Sequence, residues 1–229
     1  MSEPGNLLSL VENTMLAREP IAALARAAPA EELLEMLRSA VEDANVRGAT
    51  VLALAVAVAG ARIPAPLVMR IAPDLDDIQF LPPIVGAVAG DRMEVLLDLA
   101  ATERLSWERE AVVLYLAARL LDRAQPPRRL TSRLRSLLRE ATSESAAIVA
   151  GMAAFLVDDP EVRAVAGNTL ALGALGKAKG LDELLWNQFE RPVLESLPEQ
   201  EMHYGPTFDR GPFGAQGRSQ RSLSDSSKR

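Results

Sequence analysis

The chain has 229 residues and a formal net charge of −6, and 48% of its residues are hydrophobic but only 4% aromatic. It is long enough to bury a substantial core, which must consist mainly of Ala, Leu and Val side chains. It contains no Cys, which excludes disulfides, thiolate metal sites and Cys nucleophiles.

The N-terminal sequence MSEPGNLLSL has an acidic residue where a secretory signal is basic, and it lacks a long apolar run. The longest uncharged stretch, residues 48–61, is shorter than the roughly 20 residues that a membrane-spanning helix needs, and it predicts a buried inner helix instead. We therefore expect a cytoplasmic protein without a membrane span.

Apolar residues recur at helical spacing along most of the chain, and no segment shows the alternation typical of strands. Prolines mark many of the boundaries, as at Pro20, Pro29 and Pro160. The predicted fold class is all-α. The predicted helices span about residues 6–17, 20–28, 30–44, 46–60, 65–71, 78–89, 91–103, 107–123, 128–141, 144–157, 161–175 and 181–197.

Two similar phrases open helices in different parts of the chain: Asp43-Ala-Asn-Val-Arg47 and Asp159-Pro-Glu-Val-Arg163. In the second, Asp159 can cap the helix and the following proline suits its first position. In both, the Arg lies four residues after the Asp, so the two side chains can meet across one turn. A run rich in Ala, Val and Leu follows each phrase.

These phrases and the small-residue helices after them resemble the HEAT-repeat family, in particular its short bacterial variety with Asp-x-x-Val-Arg-x-x-Ala openings. The resemblance implies an α-solenoid of stacked antiparallel helix pairs. It also implies that Asp43, Arg47, Asp159 and Arg163 are structural repeat positions, which form a polar ladder between neighbouring repeats. The copies are 116 residues apart, about three repeats of roughly 39 residues.

Three regions follow from this interpretation. Residues 1–29 form N-terminal capping helices, and residues 30–197 form the helical-repeat domain. Residues 198–229, which are rich in Gly and Ser and offer little to pack, form a disordered tail.

No catalytic, cofactor-binding or metal-binding residues are predicted. The single His, His203, lies in the predicted tail and cannot support a triad or a metal site on its own. The stretch from Gly173 to Lys177 lacks the first Gly and the Ser or Thr of a phosphate-binding loop. Asp74, Asp76 and Asp77 lack the Gly and Glu of a calcium loop, so a kinked acidic loop is favoured.

Two features are candidate protein-binding sites. The helix over Pro127–Ala141 has a leucine stripe and an arginine face, which suits an acidic peptide, a phosphate group or a nucleic-acid backbone. The alternative is a solvated face balanced by acidic neighbours. The second feature is the tail, where aromatic residues spaced by Gly and Pro indicate a docking motif or, alternatively, a linker. The residues concerned are Arg128, Arg129, Arg133, Arg135 and Arg139 in the helix, and Tyr204, Phe208 and Phe213 in the tail.

Trp107 and Trp186 lie at apolar positions of predicted helices, where core packing is favoured over ligand stacking.

The resemblance favours a non-enzymatic protein–protein interaction scaffold or adaptor, whose partner is another protein or a peptide. The protein is expected to be a monomer or a weak homo-oligomer. One alternative is a nucleic-acid-binding protein that uses the arginines of residues 128–139, as in a HEAT-like bacterial DNA glycosylase family. Residues 201–229 carry five bases and three acids, which leaves about −8 on residues 1–200 and disfavours nucleic acid. Another alternative is an accessory subunit of an enzyme such as a phycobilin (chromophore) lyase.

Overall fold

The computed structural model describes residues 11, 14–75, 77–121, 125–167 and 181–199, except 184, 188, 190 and 191. Its α-helices are α1 (Arg18–Ala27), α2 (Ala30–Glu42), α3 (Val46–Val58), α4 (Ala65–Ile71), α5 (Leu81–Gly86), α6 (Arg92–Ala100), α7 (Trp107–Arg119), α8 (Arg128–Glu140), α9 (Glu144–Leu156), α10 (Pro160–Gly167) and α11 (Val193–Ser196). Residues 181–183 and 185–187 are also helical. These described residues contain no strand, only an isolated parallel bridge between Ile63 and Val88. The all-α prediction is confirmed.

Polar side chains begin several of these helices by accepting backbone N–H groups that the first turn leaves free. These caps are Asn45 for α3, Asp91 for α6, Ser106 for α7 and Ser143 for α9. Between α2 and α3, Ala44 adopts a φ of 55°, a left-handed conformation that few residues other than glycine use. This residue allows the short turn that brings α3 back against α2.

The helices fall into two sets that differ in burial. We call α3, α5, α7 and α9 the inner helices, because they are buried along most of their length. Consecutive inner helices contact each other, and α1 also packs on α3. Fully buried small residues such as Ala53, Ala117 and Ala153 allow this close approach.

The outer helices are α2, α4, α6, α8 and α10, each of which buries one side. Three of them pack on the inner helix that follows in the chain: α2 on α3, α6 on α7, and α8 on α9. Outer helices also contact each other, as α8 does with α6 and with α10. The result is two layers of helices in contact along the chain.

Several helix boundaries differ from the predicted ones. Residues 14–17 are not helical, so the predicted helix over 6–17 is wrong there. The predicted helix over 78–89 divides into a 3₁₀ turn (Ile78–Phe80) and α5, because Pro82 and Pro83 fit the first turn of a helix but not its interior. The predicted helix over 181–197 is interrupted at Pro192, which caps α11.

The two similar phrases open helices of different kinds. The phrase at Asp43 precedes α3, an inner helix that is buried from Gly48 to Val56. The phrase at Asp159 precedes α10, which buries only Val162 and Ala166 and packs against α8 and α9. The two copies therefore do not occupy equivalent positions in the described structure. The rest of the small-residue run after the second copy lies outside the described residues.

Candidate functional site

Helix α8 carries the arginine face that the sequence singles out. Its leucine stripe is buried as predicted, at Leu130, Leu134, Leu137 and Leu138. Arg129 contacts two carboxylates of α6, Glu94 at 3.3 Å and Asp98 at 2.7 Å. The hydrogen bond that Arg129 donates to the Asp98 carboxylate raises the pKa of Arg129. Arg135 pairs with Glu161 of α10.

Arg133 of α8 contacts residues of two other helices. Its Nη2 atom lies 2.7 Å from Oε1 of Glu110, a residue of α7. The same nitrogen donates to the carbonyl of Ala100, the last residue of α6, at 2.9 Å. Arg133 therefore joins α6, α7 and α8. Arg70 makes a similar contact between α4 and α2, where it donates to the Val41 carbonyl at 3.3 Å.

These contacts favour the interpretation of α8 as a face balanced by acidic neighbours. Arg128 and Arg139 are the arginines of α8 without an ion-pair partner among the described residues. They are 11 residues apart, roughly 16 Å along the helix axis. Binding of an acidic partner or of nucleic acid by this face remains a prediction, and it would have to compete with the internal ion pairs.

The polar residues of the two phrases bind nearby groups. Asp159 accepts a hydrogen bond from the Val162 N–H at 2.9 Å, which confirms it as a helix cap. Arg163 pairs with Asp158 at 3.3 Å. Arg47 donates to the carbonyl of Thr14 at 3.5 Å, and Asp43 accepts from the Ser39 hydroxyl at 3.3 Å.

A second site lies on the surface formed by α1, α3, α5, α7 and the first residue of α6, Arg92, which we call the inner face. The C-terminal strap, defined as the described residues among 181–199, contacts α7 near its start and α1 near its end. At its first contact, the buried Tyr115 of α7 donates a hydrogen bond to the Asp182 carboxylate. Burial, with the nearby Asp182 carboxylate, raises the pKa of Tyr115, so the phenol stays protonated.

Two arginines lie against aromatic rings of the strap. The guanidinium of Arg119 is 4.4 Å from the centre of the Trp186 ring, and that of Arg92 is 5.4 Å from the centre of Phe189. Both distances are within the range of cation–π attraction. The strap also contributes to the core, because Leu185 and Phe189 are buried.

The backbone of the strap approaches α5 closely at Gly86. A Cβ atom at this position would lie 2.8 Å from the carbonyl oxygen of Phe189. Real Cβ atoms do not come so near, so glycine is required for the strap to sit where it does.

Arg18 of α1 holds the end of the strap through backbone carbonyls. Its Nε donates to Leu194 at 3.1 Å, and its Nη2 donates to Glu195 at 3.4 Å and Leu197 at 3.3 Å. The Arg18 backbone N–H donates to the Pro198 carbonyl at 2.7 Å. The Nη1 atom of Arg18 also lies 3.8 Å from the carboxylate of the exposed Glu199. The carbonyl contacts do not depend on the side chains of the strap, because every residue has a backbone carbonyl.

A cavity of about 180 Å³ opens in the outer layer beside Glu110, and we call it the Glu110 cavity. Its walls come from the loop after α6, the first turn of α7 and the second half of α8. Glu110 is 7% exposed. Burial raises its pKa more than the neighbouring Arg133 lowers it, and the Glu140 charge raises it further.

The remaining predicted residues are placed as follows. Asp74 pairs with Arg104 at 2.7 Å, and Asp77 accepts from the Gln79 N–H at 2.9 Å, so each has a structural role. Trp107 and Trp186 are partly buried against the core. Five other predicted positions lie outside the described residues: Asp76, His203, Tyr204, Phe208 and Phe213.

Neither a metal site nor a membrane-spanning helix is present in the described part of the chain. This part contains no group of three or more His, Cys, Asp or Glu side chains that could hold a metal ion. It also contains no helix that is long and apolar enough to span a membrane.

Comparison with protein-family models, curated proteins and solved structures gives no match to this chain. Its function must therefore be inferred from its own residues.

Sequence reasoning missed the inner face and its arginines. One usable signal was the spacing of Asp182, Trp186 and Phe189 at i, i+4 and i+7, which places the three on one side of a helix. Arg18, Arg92 and Arg119 gave no such signal, because no local spacing in the sequence links them to the strap.

Proposed function

We propose that this chain is a non-enzymatic protein-interaction module, built as a solenoid of HEAT-like helix pairs, whose inner face binds a segment of a partner polypeptide. The observation that carries the proposal is the way in which the inner face holds the C-terminal strap. The strap is held by one side-chain hydrogen bond to an acid, two arginines on aromatic rings and one arginine on backbone carbonyls. These are contacts by which proteins recognise peptides.

The strap defines the chemistry of a fitting partner. Tyr115 and Arg119, whose Nε lies 3.8 Å from the Asp182 carboxylate, suit an acidic side chain. Arg119 and Arg92 suit aromatic rings four and seven residues later. Arg18 then accepts any residue, because it binds main-chain oxygens. The expected partner motif is an acid followed by aromatics at i+4 and i+7.

The test requires a chain in which the internal strap competes less strongly. In the full chain, Trp186→Ala with Phe189→Ala removes both rings that the arginines contact. A fluorescent peptide with the sequence of residues 181–199 should bind this variant with a Kd of roughly 10–1000 µM, because the advantage of intramolecular attachment is lost. Adding Arg119→Ala should weaken binding about tenfold or more, whereas adding Arg128→Ala, which is remote from the inner face, should leave it unchanged.

A second measurement reads the specificity directly. Random peptides displayed on phage can be selected for binding to the Trp186→Ala, Phe189→Ala variant. The selected peptides should be enriched in an acidic residue followed by aromatic residues at i+4 and i+7. Absence of saturable peptide binding, or equal binding by the Arg119→Ala variant, would show that the inner face does not bind segments in trans.

A further inference from the structure

We propose that the Glu110 cavity is a second binding site, which accepts an arginine side chain of a protein partner. It lies between α7 and the outer helices α6 and α8, and none of the residues that line it is among those described above as contacts of the strap. The cavity, of about 180 Å³, is smaller than the roughly 300–1,000 Å³ typical of sites for whole small molecules. Its size therefore suits a single side chain.

The charge of the cavity favours a cation. Three carboxylates line it, those of Glu103, Glu110 and Glu140, against the single guanidinium of Arg133. Two helices, α6 and α8, also end beside it, and the carbonyl ends of helices carry partial negative charge. Only α7 begins there, with the opposite polarity. The net charge of −6 on the whole chain adds attraction for a basic partner.

The carboxylate of Glu110 has binding capacity that the described residues leave unused. Its side chain is only 10% exposed, and its contact with Arg133 is made through Oε1. An ionised carboxylate can accept about four hydrogen bonds. Since burial raises the pKa of Glu110 in spite of Arg133, one guanidinium does not compensate for the loss of water around this group. A second cation in the cavity would supply the missing interaction.

Trp107 makes arginine the best-fitting cation. Trp107 and Glu110 are three residues apart on α7, so they share the side of the helix that lines the cavity. A guanidinium can lie flat on an indole ring and donate parallel hydrogen bonds to a carboxylate at the same time. An ammonium group offers no such plane, so lysine should bind more weakly.

The test uses matched pentapeptides, acetyl-Gly-Ala-Arg-Ala-Gly-amide and the same peptide with citrulline, which keeps the shape of arginine but has no charge. Binding to the full chain is followed by the NMR signal of the Trp107 indole N–H, assigned with a Trp107→Phe variant. We expect a saturable shift with the arginine peptide, at least about tenfold weaker binding of the citrulline peptide, and intermediate binding of a lysine peptide.

Variants locate the site. Glu110→Gln and, separately, Glu140→Gln should each weaken binding of the arginine peptide several-fold. Glu140 is exposed, so its variant keeps the test valid if Glu110→Gln unfolds the chain. Glu108→Gln, on the same turn of α7 but outside the cavity, is the matched control. Equal binding of the citrulline peptide, unchanged binding by both cavity variants, or equal binding of free agmatine, which carries a guanidinium without a peptide, would overturn the proposal.

Discussion

Replacing Gly86 by Ala tests whether the C-terminal strap is seated on the inner helices. The added Cβ would lie 2.8 Å from the Phe189 carbonyl oxygen, whereas an ordinary contact needs about 3.4 Å. The obstructing atom is backbone, so no side-chain rotation can relieve the contact. Either the strap must move by roughly 0.6 Å or α5 must shift.

The expected cost combines two opposing effects. Overpacking a well-packed core costs about 1–3 kcal/mol. Replacing a helical glycine by alanine stabilises the fold by about 0.5–1 kcal/mol, because alanine loses less backbone freedom on folding. The free energy of unfolding should therefore fall by about 0.5–2 kcal/mol, which lowers the Tm by roughly 1–8 °C in a chain of this length.

Urea denaturation gives the change in stability, and amide hydrogen exchange gives its location. Exchange in the strap, at Phe189 and Leu197 for example, should accelerate more than exchange in α9. Gly167→Ala is the control, because Gly167 is also a helical glycine but no atom of the described residues lies within 4 Å of its Cβ position. If both variants have the same stability and the strap exchanges at the wild-type rate, the strap does not rest against α5.

Three further changes probe the layers and the outer cavity. Ala53→Leu should lower the free energy of unfolding by about 1–3 kcal/mol in urea melts, because Ala53 is fully buried in α3; wild-type stability would place this residue at a surface. Asn45→Ala should cost about 1 kcal/mol, since the Asn45 side chain accepts the Gly48 N–H at 2.9 Å, and Asn45→Asp should restore most of the loss. For Glu110, whose pKa is raised by burial, folding favours the protonated form. The stability of wild type relative to Glu110→Gln should therefore be greatest below the ordinary glutamate pKa of about 4.3 and should fall as the pH rises through the raised pKa. Urea melts of both proteins from pH 4 to 7 measure this difference, and a constant or rising difference would contradict it.

Local patterns in the sequence were sufficient to predict most of the helices. The uncharged run over residues 48–61 predicted a buried helix, and α3 is that helix. The leucine spacing of residues 128–141 predicted the buried side of α8. Such predictions succeed because helix periodicity and capping depend on residues within a few positions of each other.

Contacts between distant parts of the chain could not be predicted in this way. The sequence left open whether the arginines of α8 bind a partner or are balanced by acidic neighbours, because their acidic partners are 23 to 35 residues away on three other helices. Pairing of this kind depends on the register between packed helices, which no local spacing specifies. For the same reason, residues 181–197 were predicted as one more helix of the repeat domain. Their contacts with the inner face were not predicted.

The contact between Arg18 and the strap has a consequence for how the protein folds as it is made. Arrays of helical repeats can fold from one end, because each repeat contacts only its neighbours. Here the side chain of Arg18 binds a carbonyl 176 residues later, so α1 cannot complete its contacts until that residue has been synthesised. At about 5–20 residues per second, translation of the intervening chain takes roughly 9–35 s. Until then, whatever part of the inner face has folded lacks the contacts of the strap, so the surface that the finished protein covers is exposed while the chain is being made.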